Sequence, residues 1–160
     1  MRKSTTSYSF EYPVSYEDPF GSLQEGFPED SILLLRPYAD KWYSDTAFSI
    51  TVESSGGLFP SAQAALDRLL YSYEHPIYDN RFVLLERSSV EVSGSTGEII
   101  VFSIMMAPDY YLGPHPAVGR EIFFDRNGMI WDIALYSHET IAQQTESEFE
   151  RILETFQILD

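Results

Sequence analysis

Two stretches of the chain repeat apolar residues with the period of an α-helix. The first begins after Pro60 and Ser61 and ends before Pro76, because proline cannot continue a helix. Its apolar stripe consists of Ala62, Ala65, Leu66, Leu69, Leu70 and Tyr73. The second has a capping-box spacing of Thr145 and Glu148, followed by a stripe of Phe149, Ile152, Leu153 and Phe156. Each helix is apolar on one face, which predicts that each packs on a sheet.

The remaining apolar residues alternate with polar ones or form short runs, as in β-strands. The predicted strands cover residues 8–12, 31–36, 47–53, 81–93, 98–107, 120–126 and 129–137. The turn-forming residues 94–97 separate one pair of strands, and Asn127-Gly128 separates the next pair. Two consecutive hairpins predict an antiparallel meander.

Residues 99–106 are apolar on both alternating faces, which predicts a strand that is covered on both sides and lies centrally in the sheet. The order of elements predicts an α+β fold: a single-domain α/β/α sandwich over residues 1–160, with a central antiparallel, meander-rich sheet and helices on both faces. Residues 1–7 are expected to be disordered, and residues 16–30 are expected to form a long loop, since that segment contains two Pro and two Gly.

The composition argues against several classes of function. The 160 residues include 10 Lys and Arg against 25 Asp and Glu, a net charge of −15, and 44% are apolar. This apolar content suffices for one globular domain. The acidic excess argues against binding to nucleic acid and against direct binding to anionic membranes. The chain has no Cys, which excludes disulfides, thiolate metal sites and a cysteine nucleophile.

No arrangement of residues typical of an enzyme is found. A nucleophile elbow needs Gly-x-Ser-x-Gly between a strand and a helix, whereas residues 94–97 (Gly-Ser-Thr-Gly) lie between two predicted strands. The histidines His75, His115 and His138 lack the spacing of a metal site. We therefore predict no catalytic, cofactor-binding or metal-ligating residue. Calcium is the cation that the many carboxylates would suit, although no calcium-binding loop motif occurs.

Two predicted loops concentrate aromatic residues. The segment 107–116 places them between prolines, which reduce the entropy lost on binding, and tyrosine is enriched at interface hot spots. A second aromatic segment covers residues 37–43. The residues predicted to contact a partner are Tyr110, Tyr111, Leu112, His115 and Trp42. The alternative is that the side chains of 110–112 cap the end of the sheet and that Trp42 belongs to the core.

Three segments resemble the PsbP-like proteins, named for an extrinsic subunit of photosystem II. The opening Tyr-Ser-Phe-Glu-Tyr-Pro at residues 8–13 is similar to their F-x-Y-P start. The hairpin across residues 93–97 and the Asn127-Gly128 hairpin, which carries Trp131, resemble their meander. The segment 148–156 is similar to their closing F-x-x-I-L-x-S-F helix, with Thr155 in place of the usual Ser. The resemblance covers about residues 8–159.

This resemblance implies a sheet between helices and a non-enzymatic role, because such proteins act as accessory subunits or adaptors that bind larger protein assemblies, some of them membrane-associated. Many bacterial members are exported lipoproteins, whereas this chain shows no leader and no lipid-bearing Cys. We expect an extracytoplasmic location if a leader was removed and a cytoplasmic one otherwise. The chain shows no basic N-terminal docking segment, so no binding residue is carried over from the photosystem subunit. The oligomeric state is not readable from the sequence.

Three functions remain open. The first is a non-catalytic accessory or binding domain that recognises a protein partner with a basic face. The second is a small-ligand-binding protein or hydrolase with a pocket beside the 16–30 loop. A deep apolar pocket that holds a carboxylate with a perturbed pKa would favour this second function. The third is an acidic module that binds divalent cations.

Overall fold

The computed structural model describes residues 1–4, 7–18, 31–37, 44–77, 79–106 and 115–159. The larger antiparallel sheet consists of β3 (Ile32–Pro37), β4 (Ser44–Ser54), β5 (Val83–Val92), β6 (Ser95–Met105), β7 (Pro116–Arg126) and β8 (Met129–His138). Its strand order is β3-β4-β8-β7-β6-β5. A smaller antiparallel sheet has the order β1-β2-β9 and consists of β1 (Arg2–Ser4), β2 (Tyr8–Glu11) and β9 (Gln157–Ile158). The helices are α1 (Ala62–Glu74) and α2 (Ala142–Thr155), and a short 3₁₀ turn, Glu139–Ile141, precedes α2.

The two helices cover opposite faces of the six-stranded sheet. Leu66 and Leu70 of α1 pack with Phe102 and Phe123 in one buried cluster. The cluster on the other face contains residues of α2, of the six-stranded sheet and of β2, among them Phe149, Phe48 and Phe10. The α+β class and the α/β/α sandwich predicted from the sequence are therefore confirmed. In the described part of the chain, neither helix combines the length and apolarity that crossing a bilayer requires.

Helix α1 begins and ends close to where its apolar period predicts. Ser61 is the N-cap, and its side chain accepts a hydrogen bond from Ala64 N at 3.2 Å. The carboxylate of Asp125 on β7 accepts from Ala62 N at 3.0 Å, which fixes the start of the helix against the sheet. The helix ends at Glu74, before Pro76.

The predicted start of α2 is wrong by four residues, because the N-cap is Ile141 and not Thr145. The helix begins at Ala142, so Thr145 lies inside it and is buried. The Thr145 hydroxyl donates to Ser137 Oγ of β8 at 2.8 Å instead of capping the helix. Glu148 does not complete a capping box, because its carboxylate accepts from the guanidinium of Arg36 at 3.0 Å.

Both hairpins use tight two-residue turns. Ser93 and Gly94 have φ angles of 50° and 78°, and Asn127 and Gly128 have φ angles of 53° and 72°. Positive φ at both central positions is the conformation that matches the twist of hairpin strands. The first turn is shorter than predicted, because residues 95–97 already belong to β6.

The predicted central position of the 99–106 strand is wrong. Strands β8 and β7 occupy the centre, and β6 lies next to the edge strand β5. Ile100 and Phe102 are fully buried beneath α1, whereas Ile99 and Val101 on the other face are half-buried. Apolar residues on both faces thus indicated how β6 is covered and not its place in the strand order.

The N-terminus also differs from the sequence expectation of disorder over residues 1–7. Arg2–Ser4 pairs with Tyr8–Glu11, and the amino group of Met1 donates to Tyr12 O at 2.6 Å. Of the predicted 16–30 loop, residues 19–30 lie outside the described residues. Before that gap, Glu17 forms an antiparallel bridge with Leu35 of β3.

Candidate functional site

A pocket of about 250 Å³ lies between α1 and the six-stranded sheet. Phe59, Leu69, Phe123 and Ile130 form much of its apolar wall. Its lining includes side chains exposed to solvent, such as Arg68 on α1, so the pocket reaches the surface. The two carboxylates in the lining belong to Glu53 and Asp132, on adjacent strands of the sheet.

Strand register brings the acidic residues onto the face that α1 covers. Asp132 on β8 lies opposite Thr51 of β4 on one side and opposite Phe123 of β7 on the other. Because alternate residues of a strand share a face, Glu53 and Glu121 project to the same side as Asp132. None of these three residues stands out in the sequence, because each is an ordinary polar position within a predicted strand.

Asp132 is the polar centre of the pocket. Its Oδ1 atom is buried and has no hydrogen-bond partner within the described chain. Burial, with a smaller contribution from the negative charge of Glu53, raises the pKa of Asp132 to about 7. A buried carboxylate that lacks a donor is costly, since hydrogen bonds or a counter-ion normally offset its desolvation.

Glu121 on β7 is also buried and lies opposite Ala134, two residues after Asp132 on β8. The hydroxyl of Tyr136 donates to Glu121 Oε1, whereas Glu121 Oε2 has no hydrogen-bond partner in the part of the chain described. The hydroxyl oxygens of Tyr136 and of Tyr73 on α1 lie 2.6 Å apart, which connects this network to the helix. Burial, followed by the charge of Asp132, raises the pKa of Glu121 well above its ordinary value.

The charge of the pocket is unbalanced. Across the described ranges, none of Glu53, Asp132 and Glu121 takes part in an ion pair. Arg68 is the cationic side chain in the lining, and its guanidinium lies over the ring of Tyr71 at 5.6 Å. Within the same described residues, no group of three or more His, Asp or Glu side chains could hold a metal ion. The pocket therefore favours a cation chemically and lacks a metal-binding cluster.

The structure describes one of the five residues predicted to contact a partner. Tyr110, Tyr111, Leu112 and Trp42 lie outside the described residues. His115 is described, and its ring is buried and stacks on the ring of His138 with centroids 4.0 Å apart. Burial and the neighbouring His138 lower the pKa of His115 to about 4.

The strands that flank both predicted aromatic segments end at the same end of the sheet. Pro37 pairs with Ser44, Met105 pairs with Pro116, and His138 lies opposite Ala117. We call this end, defined by Pro37, Ser44, Met105, Pro116 and His138, the loop end. The flanks of segments 38–43 and 107–114, separate in sequence, are thus brought to one side of the molecule.

A buried ion-pair network lies next to the loop end. Arg36 Nε lies 2.7 Å from Asp45 Oδ1, and Arg36 Nη1 lies 3.0 Å from Glu148 Oε1. The Tyr16 hydroxyl donates to Glu148 Oε2 at 2.9 Å, and burial together with the Glu148 charge raises the pKa of Tyr16. Each charge in this network has a partner, so it acts as a scaffold that joins β3, β4 and α2.

Comparison with known proteins by sequence gives no matching family model and no matching curated protein. Comparison by structure does give matches. Cyanobacterial PsbP (CyanoP) from Synechocystis sp. PCC 6803 aligns with a TM-score of 0.61 at 15% identity, over 99% of this chain and 92% of that chain.

Two further structures have the same fold. The Ran-binding protein Mog1p of Saccharomyces cerevisiae aligns with a TM-score of 0.60 at 10% identity, over 96% of this chain and 90% of that chain. LpqN of Mycobacterium tuberculosis, involved in cell envelope biogenesis, aligns with a TM-score of 0.63 at 9% identity, over 96% and 83%. The chain therefore has a PsbP/Mog1-like fold, and the resemblance found in its sequence is confirmed at the level of the fold.

Proposed function

We propose that this protein is a non-catalytic accessory domain that binds a protein partner with a basic face, through the loop end. The observation that carries the proposal is the convergence of the strand ends that flank segments 38–43 and 107–114. These segments contain Trp42, Tyr110 and Tyr111, and aromatic residues of this kind dominate the energetics of protein interfaces. We assign the main contacts to these three residues and to Leu112.

Acidic side chains near the loop end supply the electrostatic part of the proposal. Helix α2 starts immediately after β8, so Glu139 and Glu146 lie toward this end, and both are exposed. The chain carries 15 more acidic than basic residues. Such a field attracts a basic surface over several ångströms, which makes association fast and sensitive to salt.

A structural relative with the same fold supports a role in protein recognition. Mog1p, which has the same fold, is a Ran-binding protein. In the present chain, buried His115 serves as support beneath the loop end, because its ring is stacked on His138 and is not presented to solvent. The contact surface proposed here therefore consists of the aromatic residues of the two segments and the acidic start of α2.

The test begins with capture of partners from soluble and membrane fractions at low and moderate salt, followed by titration with the purified partner. We expect near-stoichiometric capture at low salt and weaker binding at moderate salt. Tyr110→Ala combined with Tyr111→Ala should weaken binding at least tenfold. Leu58→Ala is the matched control, because Leu58 is exposed and lies at the opposite end of the sheet. Equal effects of both variants, or no partner at either salt, would contradict the proposal.

A second comparison tests how the acidic start of α2 contributes to association. The variant Glu139→Gln should reduce the association rate and its salt dependence, and Glu146 is left unchanged because its carboxylate lies 3.4 Å from Nη2 of buried Arg120. Glu150→Gln removes the same charge from the far half of α2, where the side chain is also exposed. Association that does not change with ionic strength would remove the basic partner face from the proposal.

One observation favours the small-ligand alternative: the buried Oδ1 atom of Asp132, in the pocket beneath α1, has no hydrogen-bond partner among the described residues. This pocket is not the one expected beside the 16–30 loop, most of which lies outside the described residues.

A further inference from the structure

We propose that the pocket between α1 and the sheet binds an organic cation, a protonated amine carried on an apolar body, with Asp132 as the counter-ion. Glu53 flanks the ammonium group, and the wall formed by Phe59, Leu69 and Phe123 holds the carbon body. This site is separate from the loop end, and the inference does not rest on the function proposed for that end.

The lining carries more negative than positive charge. Glu53 and Asp132 both line the pocket, yet neither side chain has an ionic partner among the residues described. Like charges on neighbouring strands destabilise the sheet unless a cation or a proton compensates them. The nearby guanidinium of Arg68 lies over the ring of Tyr71, at 5.6 Å. With two carboxylates and one guanidinium in the lining, the ionised pocket keeps an excess negative charge that an ammonium group would neutralise.

The pocket also lacks a hydrogen-bond donor. Asp132 Oδ1 is buried and has no donor among the described residues. Buried polar atoms in folded proteins are nearly always satisfied, so an exception next to a cavity points to a missing donor. An ammonium group brings three N–H donors on one small charged centre. It can satisfy a carboxylate oxygen and neutralise the charge together.

The shape and lining of the pocket suit an organic cation. Its volume of about 250 Å³ exceeds the ~150 Å³ of an apolar cavity that accepts benzene. There is room for an aromatic ring or short alkyl chain that ends in an ammonium group. A divalent metal would instead need several oxygen ligands, and the described residues offer no such cluster. The apolar wall favours an organic cation over a hydrated inorganic one.

The experiment is calorimetric titration of the wild-type protein with three amines: 2-phenylethylamine, hexylamine and Nα-acetyl-lysine amide. The first two represent a free small amine, and the third represents the lysine side chain of a polypeptide. Their neutral counterpart is 2-phenylethanol, and 3-phenylpropionate supplies the opposite charge. We expect saturable one-to-one binding of at least one amine, binding of the alcohol at least tenfold weaker, and no binding of the carboxylate.

Variants locate the site. Asp132→Asn keeps the size of the side chain and should weaken amine binding at least tenfold, and Glu53→Gln should weaken it less. Asp67→Asn is the matched control, because Asp67 is an exposed acid on α1 outside the pocket lining. Circular dichroism and thermal unfolding confirm that each variant is folded.

The outcomes distinguish two possible sources of the ligand and also show when the proposal fails. Selective binding of the two free amines supports a small-molecule ligand, and binding of the lysine amide with equal strength supports a polypeptide side chain. No saturable binding of any amine overturns the proposal. Equal binding of 2-phenylethanol, or an unchanged affinity in Asp132→Asn, overturns the assignment of Asp132. None of these results depends on whether the loop end binds a protein.

Discussion

Arg36 and Glu148 lie 112 residues apart in the chain and form an ion pair, with 3.0 Å between Arg36 Nη1 and Glu148 Oε1. The pair connects β3 to α2, and the side chains are 11% and 17% exposed. Asp45 holds the other side of the guanidinium at 2.7 Å. Because little water reaches this network, losing one member leaves the remaining charged and polar groups poorly solvated.

We therefore expect Glu148→Ala to lower the free energy of unfolding by about 2 kcal/mol, less than the full cost of an unpaired buried charge because Asp45 still neutralises Arg36. Urea unfolding followed by fluorescence measures the change. Glu150→Ala, an exposed substitution on the same helix, should change stability by less than about 0.5 kcal/mol. If the two variants were equally stable, the ion pair would contribute nothing measurable.

Gly119 makes room for the ring of Phe102 at the centre of the α1-facing core. A Cβ atom at Gly119 would overlap that ring, which is fully buried and packed against Tyr73, Phe82 and Tyr136. Gly119→Ala should destabilise the fold by about 2 kcal/mol, the usual cost of overpacking. In the Phe102→Leu background, the same substitution should cost clearly less. Additive effects in this double-variant cycle would show that the two residues do not compete for space.

Asp132 should make stability fall as the pH rises. Its ordinary pKa of 3.8 increases to about 7 in the folded state, so between these values the folded protein binds more protons than the unfolded chain. The Asp132→Asn variant should lack this dependence. As the pH rises across that range, its free energy of unfolding should increase relative to that of wild type by at most about 1.4 kcal/mol per pH unit. Urea unfolding at pH 4.5 to 8 provides the difference curve. The Asp67→Asn control should run parallel to wild type, and the same result for Asp132→Asn would refute the raised pKa.

His115 should make stability fall as the pH decreases, which is opposite to the effect of Asp132. Its pKa falls from the ordinary 6.5 to about 4, so between these values the unfolded chain binds more protons and stability falls as the pH decreases. His115→Gln should lose this dependence whatever constant packing cost it carries. His75→Gln, at an exposed position that ends α1, serves as the comparison. Unfolding from pH 4 to 7 tests it, and a His115→Gln curve parallel to wild type would exclude a buried neutral imidazole.

Much of the architecture was accessible from the sequence because it depends on neighbouring residues. The apolar period of α1 and its Ser61 cap depend only on residues within a few positions of each other, and both are observed. Asn127-Gly128 needs only its own backbone preferences to form the turn. The start of α2 was mistaken because Thr145 has a partner, Ser137, on another element.

The chain sequence by itself therefore determined the helices, the hairpins, the α+β class and the negative charge, all of which follow from local pattern or simple composition. Only the tertiary structure decided that β6 lies beside the edge and that Glu53 and Asp132 share a pocket beneath α1. The alternation in β8 shows which residues share a face with Asp132, but the pairing of β4 with β8 decides which side chains lie beside it. That register results from the packing of segments distant in sequence, which no local period encodes.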